Sequence, residues 1–263
     1  MIGIIGGSGL YDPKLLQNVS RKKVSTEFGE PSDEITLGEF SGKKIAFLPR
    51  HGEKHEINPS NVNYRANIWA LKELGVTQII AVNAVGSLQL DVSPETLVFP
   101  EQFIDFTKKR ESTFFDGKHM NGKVAHINVS NPFCHFMLDL FAEKAKQLKL
   151  KYRHGGTYVC IEGPRFSTNA ESEFFRQIKG DVIGMTLCPE AVLAKEAELC
   201  YANIAAVTDY DNLSDKPIST KEIIETMKKN TDSIKVLLEK IIPLLKEKDR
   251  GCGCDKSLEG ALF

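Results

Sequence analysis

The sequence contains no apolar run long enough to cross a membrane, and it carries almost no net charge. A membrane-spanning helix needs about 20 consecutive apolar residues, and no stretch of the chain approaches that length. The formal net charge is −1 over 263 residues, so no strong positive field attracts nucleic acid. The first residues also lack a basic leader. We therefore expect a cytoplasmic protein without a membrane or nucleic-acid partner.

The signatures of several common catalytic classes are absent as well. The glycine-rich loop Gly6-Gly7-Ser8-Gly9 is not followed by Gly-Lys-Ser/Thr, so it is not a P-loop. Counted from Gly7, the sixth position of a dinucleotide fingerprint is Asp12 rather than glycine. Zinc-hydrolase, Ser-His-Asp and kinase signatures are missing too. A phosphate cradle and a plain turn both remain open for this loop.

Six cysteines are present, and only two of them form a local pattern. Cys134, Cys160, Cys188 and Cys200 stand in apolar surroundings, where a thiol behaves as a small hydrophobic group. Cys252-Gly253-Cys254 lies in a polar tail. Two thiols do not complete a tetrahedral zinc site, and no second pair lies nearby in the sequence. We expect no metal site, and a redox pair or an intersubunit contact stays open for the tail.

Strand and helix patterns alternate along the chain, which predicts an α/β domain with a mixed sheet between helices. The chain is 41% hydrophobic and shows no internal linker, so residues 1–245 are interpreted as one domain and 246–263 as a tail. The predicted strands are 1–6, 34–40, 44–48, 77–83, 96–99, 124–129, 156–162, 181–185 and one from 202. The predicted helices are 63–74, 132–148, 189–200 and two that begin at the capping boxes of Thr168 and Ser219.

Two aspartates follow the apolar run from Ala202 to Val207. Asp209 and Asp211 stand two residues apart, and in extended chain such residues point to the same side. Open α/β sheets bind ligands at the carboxyl ends of their strands. A carboxylate pair there suits a ligand that must be protonated and that offers N–H donors, as a purine does. A solvated loop with helix-capping aspartates is the alternative.

Other predicted strand ends carry groups that suit phosphate. Arg50 and His51 follow one strand, and arginine is the bidentate phosphate ligand among the side chains. Asn83-Ala84 and Gly184-Met185-Thr186 lie at the ends of two more strands. Phe166 precedes a helix and could stack on a flat base, although core packing is the commoner role of a single phenylalanine. Together these ends predict a phosphate site beside the carboxylate pair.

Seven motifs occur in an order that resembles the trimeric purine nucleoside phosphorylases, and most closely the methylthioadenosine phosphorylases of thermophilic archaea. They are Gly-Gly-Ser-Gly-Leu-Tyr, Leu-Pro-Arg-His-Gly, Asn-Tyr-Arg-Ala-Asn-Ile-Trp-Ala-Leu-Lys, Val-Gly-Ser-Leu, Glu-Gly-Pro-Arg-Phe-Ser-Thr, Gly-Met-Thr-Leu-Cys-Pro-Glu and Thr-Asp-Tyr-Asp. The resemblance covers residues 2 to about 245. It implies a single α/β domain whose mixed sheet is partly closed into a barrel.

The resemblance also implies an activity. This is the phosphorolysis of 5′-methylthioadenosine to adenine and 5-methylthioribose 1-phosphate, in purine and methionine salvage, with adenosine and other purine nucleosides as further substrates. Phosphorolysis of 6-oxopurine nucleosides or methylthioinosine is the alternative. Inorganic phosphate is then a co-substrate, no cofactor is needed, and the protein is a homo-oligomer, either a trimer or a dimer of trimers.

Site roles follow from the resemblance position by position. Asp209 is the acid at purine N7, and Asp211 helps to bind the 6-amino group. Phosphate is held by Ser8, Arg50, His51, Asn83, Ala84 and Thr186, and the nucleoside by Phe166, Ser167, Met185, Asp209 and Asp211. Ser167 and Thr220 are implied as specificity residues. Two disulfide pairings are implied for the thermophilic members, Cys134 with Cys200 and Cys252 with Cys254.

Overall fold

A computed structural model describes residues 1–7, 16–213, 219–247 and 250–263. Ser8 therefore lies outside the described residues. The described chain forms eleven strands and five α-helices. The strands are β1 Ile2–Gly6, β2 Gln17–Lys22, β3 Ile35–Phe40, β4 Lys43–Pro49, β5 Gln78–Ser87, β6 Leu97–Phe99, β7 Gln102–Phe106, β8 Tyr152–His154, β9 Thr157–Ile161, β10 Val182–Gly184 and β11 Cys200–Tyr210. The helices are α1 Tyr64–Glu73, α2 His135–Gln147, α3 Asn169–Gln177, α4 Glu190–Glu196 and α5 Thr220–Ile241.

All eleven strands belong to one mixed sheet. Its main path runs β2-β3-β4-β1-β5-β10-β9-β7, and β11 pairs with both β5 and β6 while β8 pairs with β6. β1, β4, β5 and β11 are mutually parallel, whereas β10 is antiparallel to β5. The predicted mixed sheet is confirmed, and its partial closure into a barrel stays a prediction.

The central strands are apolar along almost their whole length because helices cover the sheet. β1 is buried throughout, and the first nine residues of β11 are buried as well. α2 buries Met137 and Phe141, and α5 buries Leu237 and Ile241. Fully buried parallel strands with continuous apolar sequence are typical of α/β domains.

Local signals at the helix starts are confirmed. Thr168 caps α3, accepting from the Glu171 backbone N–H while the Glu171 side chain accepts from the Thr168 N–H. Ser219 likewise caps α5 by accepting from the Glu222 N–H. Such caps satisfy backbone donors that have no partner inside the helix.

Several predicted boundaries are wrong. Residues 124–129 form no strand; only Val124 and Ala125 make isolated bridges, because this segment lies across the C-terminal tail instead of inside the sheet. The helix predicted for 189–200 ends at Glu196, and β11 begins already at Cys200. The sequence pattern does not predict β2, β7 and β8, since each is short and largely exposed or polar.

The tail returns to the body of the same chain. Gln78 Nε2 donates to the Lys246 carbonyl, and Ser257 Oγ donates to the Lys195 carbonyl. The Phe263 N–H donates to the Val124 carbonyl at 2.9 Å. No helix among the residues that the structure describes combines the length and the apolar character required to span a bilayer.

Candidate active site

Several strand ends meet at one edge of the sheet. The parallel pairing places Gly6 of β1 beside Pro49 of β4, and Tyr210 of β11 beside Ser87 of β5. Ala84 is exposed, although β5 is hydrogen-bonded to three other strands. An exposed residue in a central strand marks a cleft in the covering layer. The predicted phosphate and base residues come from the strand ends around this point.

Asp209 and Asp211 both approach the β5 residue Gly86 from the end of β11. Asp209 is the second-last residue of β11, which therefore extends further than the predicted strand, and Asp211 follows directly after it. A β-bulge at Thr208 shifts the register so that Asp209 pairs with Gly86. A β-carbon added to Gly86 would lie 3.1 Å from Asp211 Cβ and 3.4 Å from Asp209 Oδ2. Glycine at position 86 thus leaves room beside both aspartates.

The surroundings of Asp209 favour the protonated form of its carboxyl group. Burial raises the pKa of Asp209, and the nearby Asp211 carboxylate adds to that rise. A hydrogen bond from Thr208 Oγ1 to Asp209 Oδ1 at 2.6 Å acts in the opposite direction without overcoming it. A carboxyl group with a raised pKa holds its proton to higher pH and can donate it to a ligand.

Asp211 is held rigidly by hydroxyl groups. Ser167 Oγ donates to it at 2.7 Å, and Ser172 Oγ approaches Oδ2 at 2.5 Å. Asn212 Nδ2 in turn donates to Ser172 Oγ at 2.9 Å. Ser167, which the resemblance implies in nucleoside binding, contacts Asp211 in the structure, and its contact with the base stays a prediction. Each carboxylate oxygen has two lone pairs, and acceptor capacity remains for a ligand.

Arg50 is buried and paired with a residue that the sequence does not single out. Its Nε and Nη2 donate to the two carboxylate oxygens of Glu190 at 2.7 and 2.8 Å, and Nη1 donates to the Val82 carbonyl at 2.9 Å. Tyr201 Oη also donates to Glu190, at 2.8 Å. Burial acts to lower the pKa of Arg50, but the Glu190 carboxylate outweighs it and raises that pKa. Arginine has five N–H donors, so two remain beyond these three bonds.

His51 is a neutral imidazole in this setting. Burial first, and then the charge of Arg50, lower the pKa of His51 to about 4. Its Nδ1 lies 2.8 Å from the Ile57 carbonyl. A carbonyl only accepts, so Nδ1 carries the hydrogen and Nε2 presents a lone pair. The His55 ring lies 4.5 Å from the His51 ring.

Asn83 and Thr186 are linked to each other. Asn83 Nδ2 donates to Thr186 Oγ1, and Asn83 Oδ1 accepts from Asn203 Nδ2. The Asn83 side chain is buried and engaged on both of its polar atoms. Thr186 accepts from Asn83, which leaves its own hydroxyl hydrogen for another acceptor. Asn83 therefore orients Thr186, a role that the sequence does not predict.

The remaining predicted residues are distributed around the same region. Met185 packs closely on Gly163, where an added β-carbon would meet Met185 Sδ at 2.6 Å. Phe166 is 44% exposed, and its contact with a base stays a prediction. Thr220 is the exposed first residue of α5, and the nearby Glu222 carboxylate adds to the raised pKa of Asp209.

Sequence reasoning misses four residues that support these groups: Glu190, Tyr201, Asn203 and Ser172. Each lies in a helix or in the strand β11, and its partner is between 11 and 140 residues away. For Glu190 one signal exists, since it closes the motif Gly-Met-Thr-Leu-Cys-Pro-Glu. No local pattern distinguishes the other three.

The sequence profile of the phosphorylase superfamily matches residues 1–243. Among curated relatives, S-methyl-5′-thioadenosine phosphorylase from Nitrosopumilus maritimus is 51% identical over 262 residues, covering 100% of this chain and 98% of the relative.

Two solved structures are similar over nearly their full length. A methylthioadenosine phosphorylase from an antarctic soil metagenomic library has a TM-score of 0.92 at 44% identity, covering 100% of this chain and 92% of that chain. Methylthioadenosine phosphorylase from Schistosoma mansoni, in complex with adenine, has a TM-score of 0.93 at 36% identity, covering 99% of this chain and 98% of that chain.

Proposed function

This chain belongs to the phosphorylase superfamily, and from that premise we propose that it cleaves 5′-methylthioadenosine with inorganic phosphate. The products are adenine and 5-methylthioribose 1-phosphate. The observation that carries the proposal is the pair Asp209 and Asp211 beside Gly86, at the strand edge where Arg50 and His51 also lie. The relatives named above as methylthioadenosine phosphorylases support the choice of nucleoside.

The proposed base site uses the two carboxyl groups differently. Asp209, with its raised pKa, donates a proton to N7 of the purine. Asp211 is oriented by Ser167 and Ser172 and accepts from the 6-amino group. Phe166 lies against the base and Met185 under the ribose. A 6-oxopurine offers an acceptor in place of the amino group, so a carboxylate at Asp211 disfavours it.

The proposed phosphate site comprises Ser8, Arg50, His51, the Asn83-Ala84 segment and Thr186. Arg50 supplies charge and two free N–H groups, and Thr186 supplies a hydroxyl donor. His51, with a pKa of about 4, presents Nε2 as an acceptor. Monohydrogen phosphate carries one O–H, and that group is the natural partner of this lone pair. The site therefore selects phosphate over an anion that has no hydrogen to donate.

The chemistry balances with these groups alone. A phosphate oxygen forms a bond to C1′ while the C1′–N9 bond breaks, and the bonding electron pair passes into the purine. Asp209 gives a proton to N7, which neutralises that charge. Monohydrogen phosphate releases its proton on becoming the sugar phosphate dianion, so the acid is restored without a cofactor.

We further propose that the protein works as a cytoplasmic homo-oligomer, a trimer or a dimer of trimers. The proposal rests on the resemblance, and exposed apolar side chains such as Leu90, Phe136 and Ile224 are available for contact with another copy. Light scattering coupled to size-exclusion chromatography measures the copy number. A monomer at micromolar concentration would contradict this part of the proposal.

The decisive experiment measures base release from methylthioadenosine, adenosine and inosine side by side, with and without phosphate. We expect methylthioadenosine to be cleaved fastest and all cleavage to require phosphate. Undiminished product in phosphate-free buffer would identify a hydrolase instead. Faster cleavage of inosine would establish the 6-oxopurine activity in place of the proposed one.

A further inference from the structure

Four cysteines from three parts of the chain converge on one point. Cys134 immediately precedes α2, Cys200 is the first residue of β11, and Cys252 and Cys254 belong to the C-terminal tail. The four Sγ atoms all lie within 4.8 Å of one another, and Cys200 Sγ is 3.3 Å from Cys252 Sγ. All six cysteines lie in the described ranges and carry free thiols. The second thiol pair, which the sequence does not place near residues 252–254, is therefore supplied by the fold.

The mutual distances fit a single tetrahedral centre. Zinc bound by four thiolates at about 2.3 Å has sulfur–sulfur edges of about 3.8 Å. Two separate disulfides require contact only within each pair, whereas here every sulfur is near every other. Four thiolates without an open position are the donor set of a structural site for a thiophilic divalent ion. We propose that Cys134, Cys200, Cys252 and Cys254 bind one such ion, zinc by its ligand preference.

The backbone around the cluster is already arranged for this. The Cys134 N–H donates to the Tyr201 carbonyl at 2.8 Å, which holds the start of α2 against the start of β11. Gly253 adopts φ +70°, in the left-handed region that favours glycine, so the chain turns sharply between the two tail cysteines. Both pairs of ligands are thus positioned by main-chain geometry.

A cation next to the cluster offsets its negative charge. Four thiolates and one divalent ion sum to −2. Arg250 Nη1 lies 3.2 Å from Cys200 Sγ and donates to the Thr77 carbonyl at 2.6 Å, so its guanidinium is anchored beside the sulfur. Donors of this kind to the ligand atoms are a regular part of metal sites.

The centre is structural and separate from the proposed active site. Cys200 begins β11 and Asp209 lies near its other end, a distance of about 30 Å along an extended strand. An ion at the cysteine cluster would join the tail to α2 and β11, and this link would stabilise the folded chain. Loss of the metal site and failure of the proposed phosphorolysis are therefore distinguishable, because metal content and activity are measured separately.

The test uses the full-length protein purified under a reductant that does not bind metals. Elemental analysis should find about one zinc per chain. Cobalt added to metal-free protein should give the visible and charge-transfer bands of tetrahedral thiolate coordination. Cys252→Ser combined with Cys254→Ser should reduce the metal content at least about tenfold. Cys160→Ala removes a buried thiol outside the cluster and should keep the metal.

Two results would overturn the proposal. One is reduced, folded wild-type protein that carries no stoichiometric metal and gives no cobalt spectrum. The other is native protein whose unreduced mass is four hydrogens lighter than that of the reduced chain, with no metal taken up after reduction. Because the cobalt spectrum is recorded on the wild-type chain, the test stays decisive even where a cysteine variant is unstable.

Discussion

Arg50 donates from Nε and Nη2 to the two carboxylate oxygens of Glu190 at 2.7 and 2.8 Å, with the two side chains only 2% and 0% exposed. The pair fixes the guanidinium plane, because a bidentate contact determines orientation as well as position. The two N–H groups that neither Glu190 nor the Val82 carbonyl occupies therefore have fixed directions. This relationship makes Glu190 a positioning residue for the proposed phosphate site.

Glu190→Gln should destabilise the protein and weaken phosphate binding. Removing one partner of a buried ion pair leaves the other charge uncompensated, which costs about 3–5 kcal/mol. Urea unfolding and the KM for phosphate measure the two effects. Glu53→Gln is the matched control, since Glu53 makes the same bidentate contact with Arg21 at an exposed site. An equal loss in both variants would contradict the role of burial.

Asp209→Asn should slow cleavage of methylthioadenosine by about 10²–10⁴-fold, because an amide cannot donate the proton that the departing purine needs. The relative preference should move toward 6-oxopurines. Steady-state rates with methylthioadenosine and inosine give both quantities. Asp91→Asn alters an exposed carboxylate and should leave them unchanged. An unaltered substrate ratio in Asp209→Asn would count against Asp209 as the base-recognising acid.

The same aspartate should limit the rate at high pH. Its pKa is raised, and the protonated form is the one that acts, so kcat should fall as pH rises through that pKa.

The stability of the protein should change with pH in the same direction as kcat. The contribution of Asp209 to the free energy of unfolding is fully present below its unfolded pKa and is lost as pH rises through the folded pKa. Asp209→Asn should therefore be more stable than the wild type at neutral pH, as urea unfolding will measure. Equal stability of the variant and the wild type at pH 7 would contradict a buried Asp209 carboxyl group with a raised pKa.

His51 should make the protein sensitive to mild acid. Its folded pKa is about 4 against an ordinary value of 6.5, so its stabilising contribution is present above pH 6.5 and is lost as pH falls toward 4. The loss is on the order of 2–3 kcal/mol. Between pH 7 and pH 4 the wild type should lose that much more stability than His51→Gln in urea titrations. His135→Gln, at an exposed histidine, should follow the wild type.

Ser172→Ala should loosen Asp211. The variant removes a hydrogen bond of 2.5 Å to a buried carboxylate, and a hydrogen bond to a charged group contributes about 1.5–3 kcal/mol. Ser167 remains as a donor to Asp211. The KM for methylthioadenosine should rise while the KM for phosphate stays the same. Ser130→Ala, at an exposed position, serves as the control. Equal increases in both KM values would show a general loss of structure instead of a local effect on Asp211.

Much of the framework follows from local sequence. The capping boxes at Thr168 and Ser219 depend on residues three positions apart, and both helices begin where they predict. The apolar run before Asp209 identifies β11, because a fully buried strand needs continuous apolar sequence. The short strands β2 and β8 are not predicted from the sequence, because they lack such an apolar run and their formation depends on pairing with other strands.

Function is also readable in part from residue order. The ordered motifs from Gly6 to Asp211 predict the phosphorylase family, and the family match confirms it. The residues that hold the site in place are not readable in this way. Glu190 lies 140 residues from Arg50, and Ser172 lies 39 residues from Asp211. A hydrogen bond between such partners leaves no spacing pattern in the chain.

The cysteines show most clearly what the sequence determines and what only the tertiary structure decides. The sequence by itself determined that Cys252 and Cys254 flank a glycine, which sets their local turn. Only the tertiary structure decided that Cys134 and Cys200 meet them, because the pairing of α2, β11 and the tail brings together thiols that are up to 120 residues apart. Periodicity and capping act over a few residues, whereas a cluster of ligands or a buried ion pair forms only when the folded chain brings distant residues together.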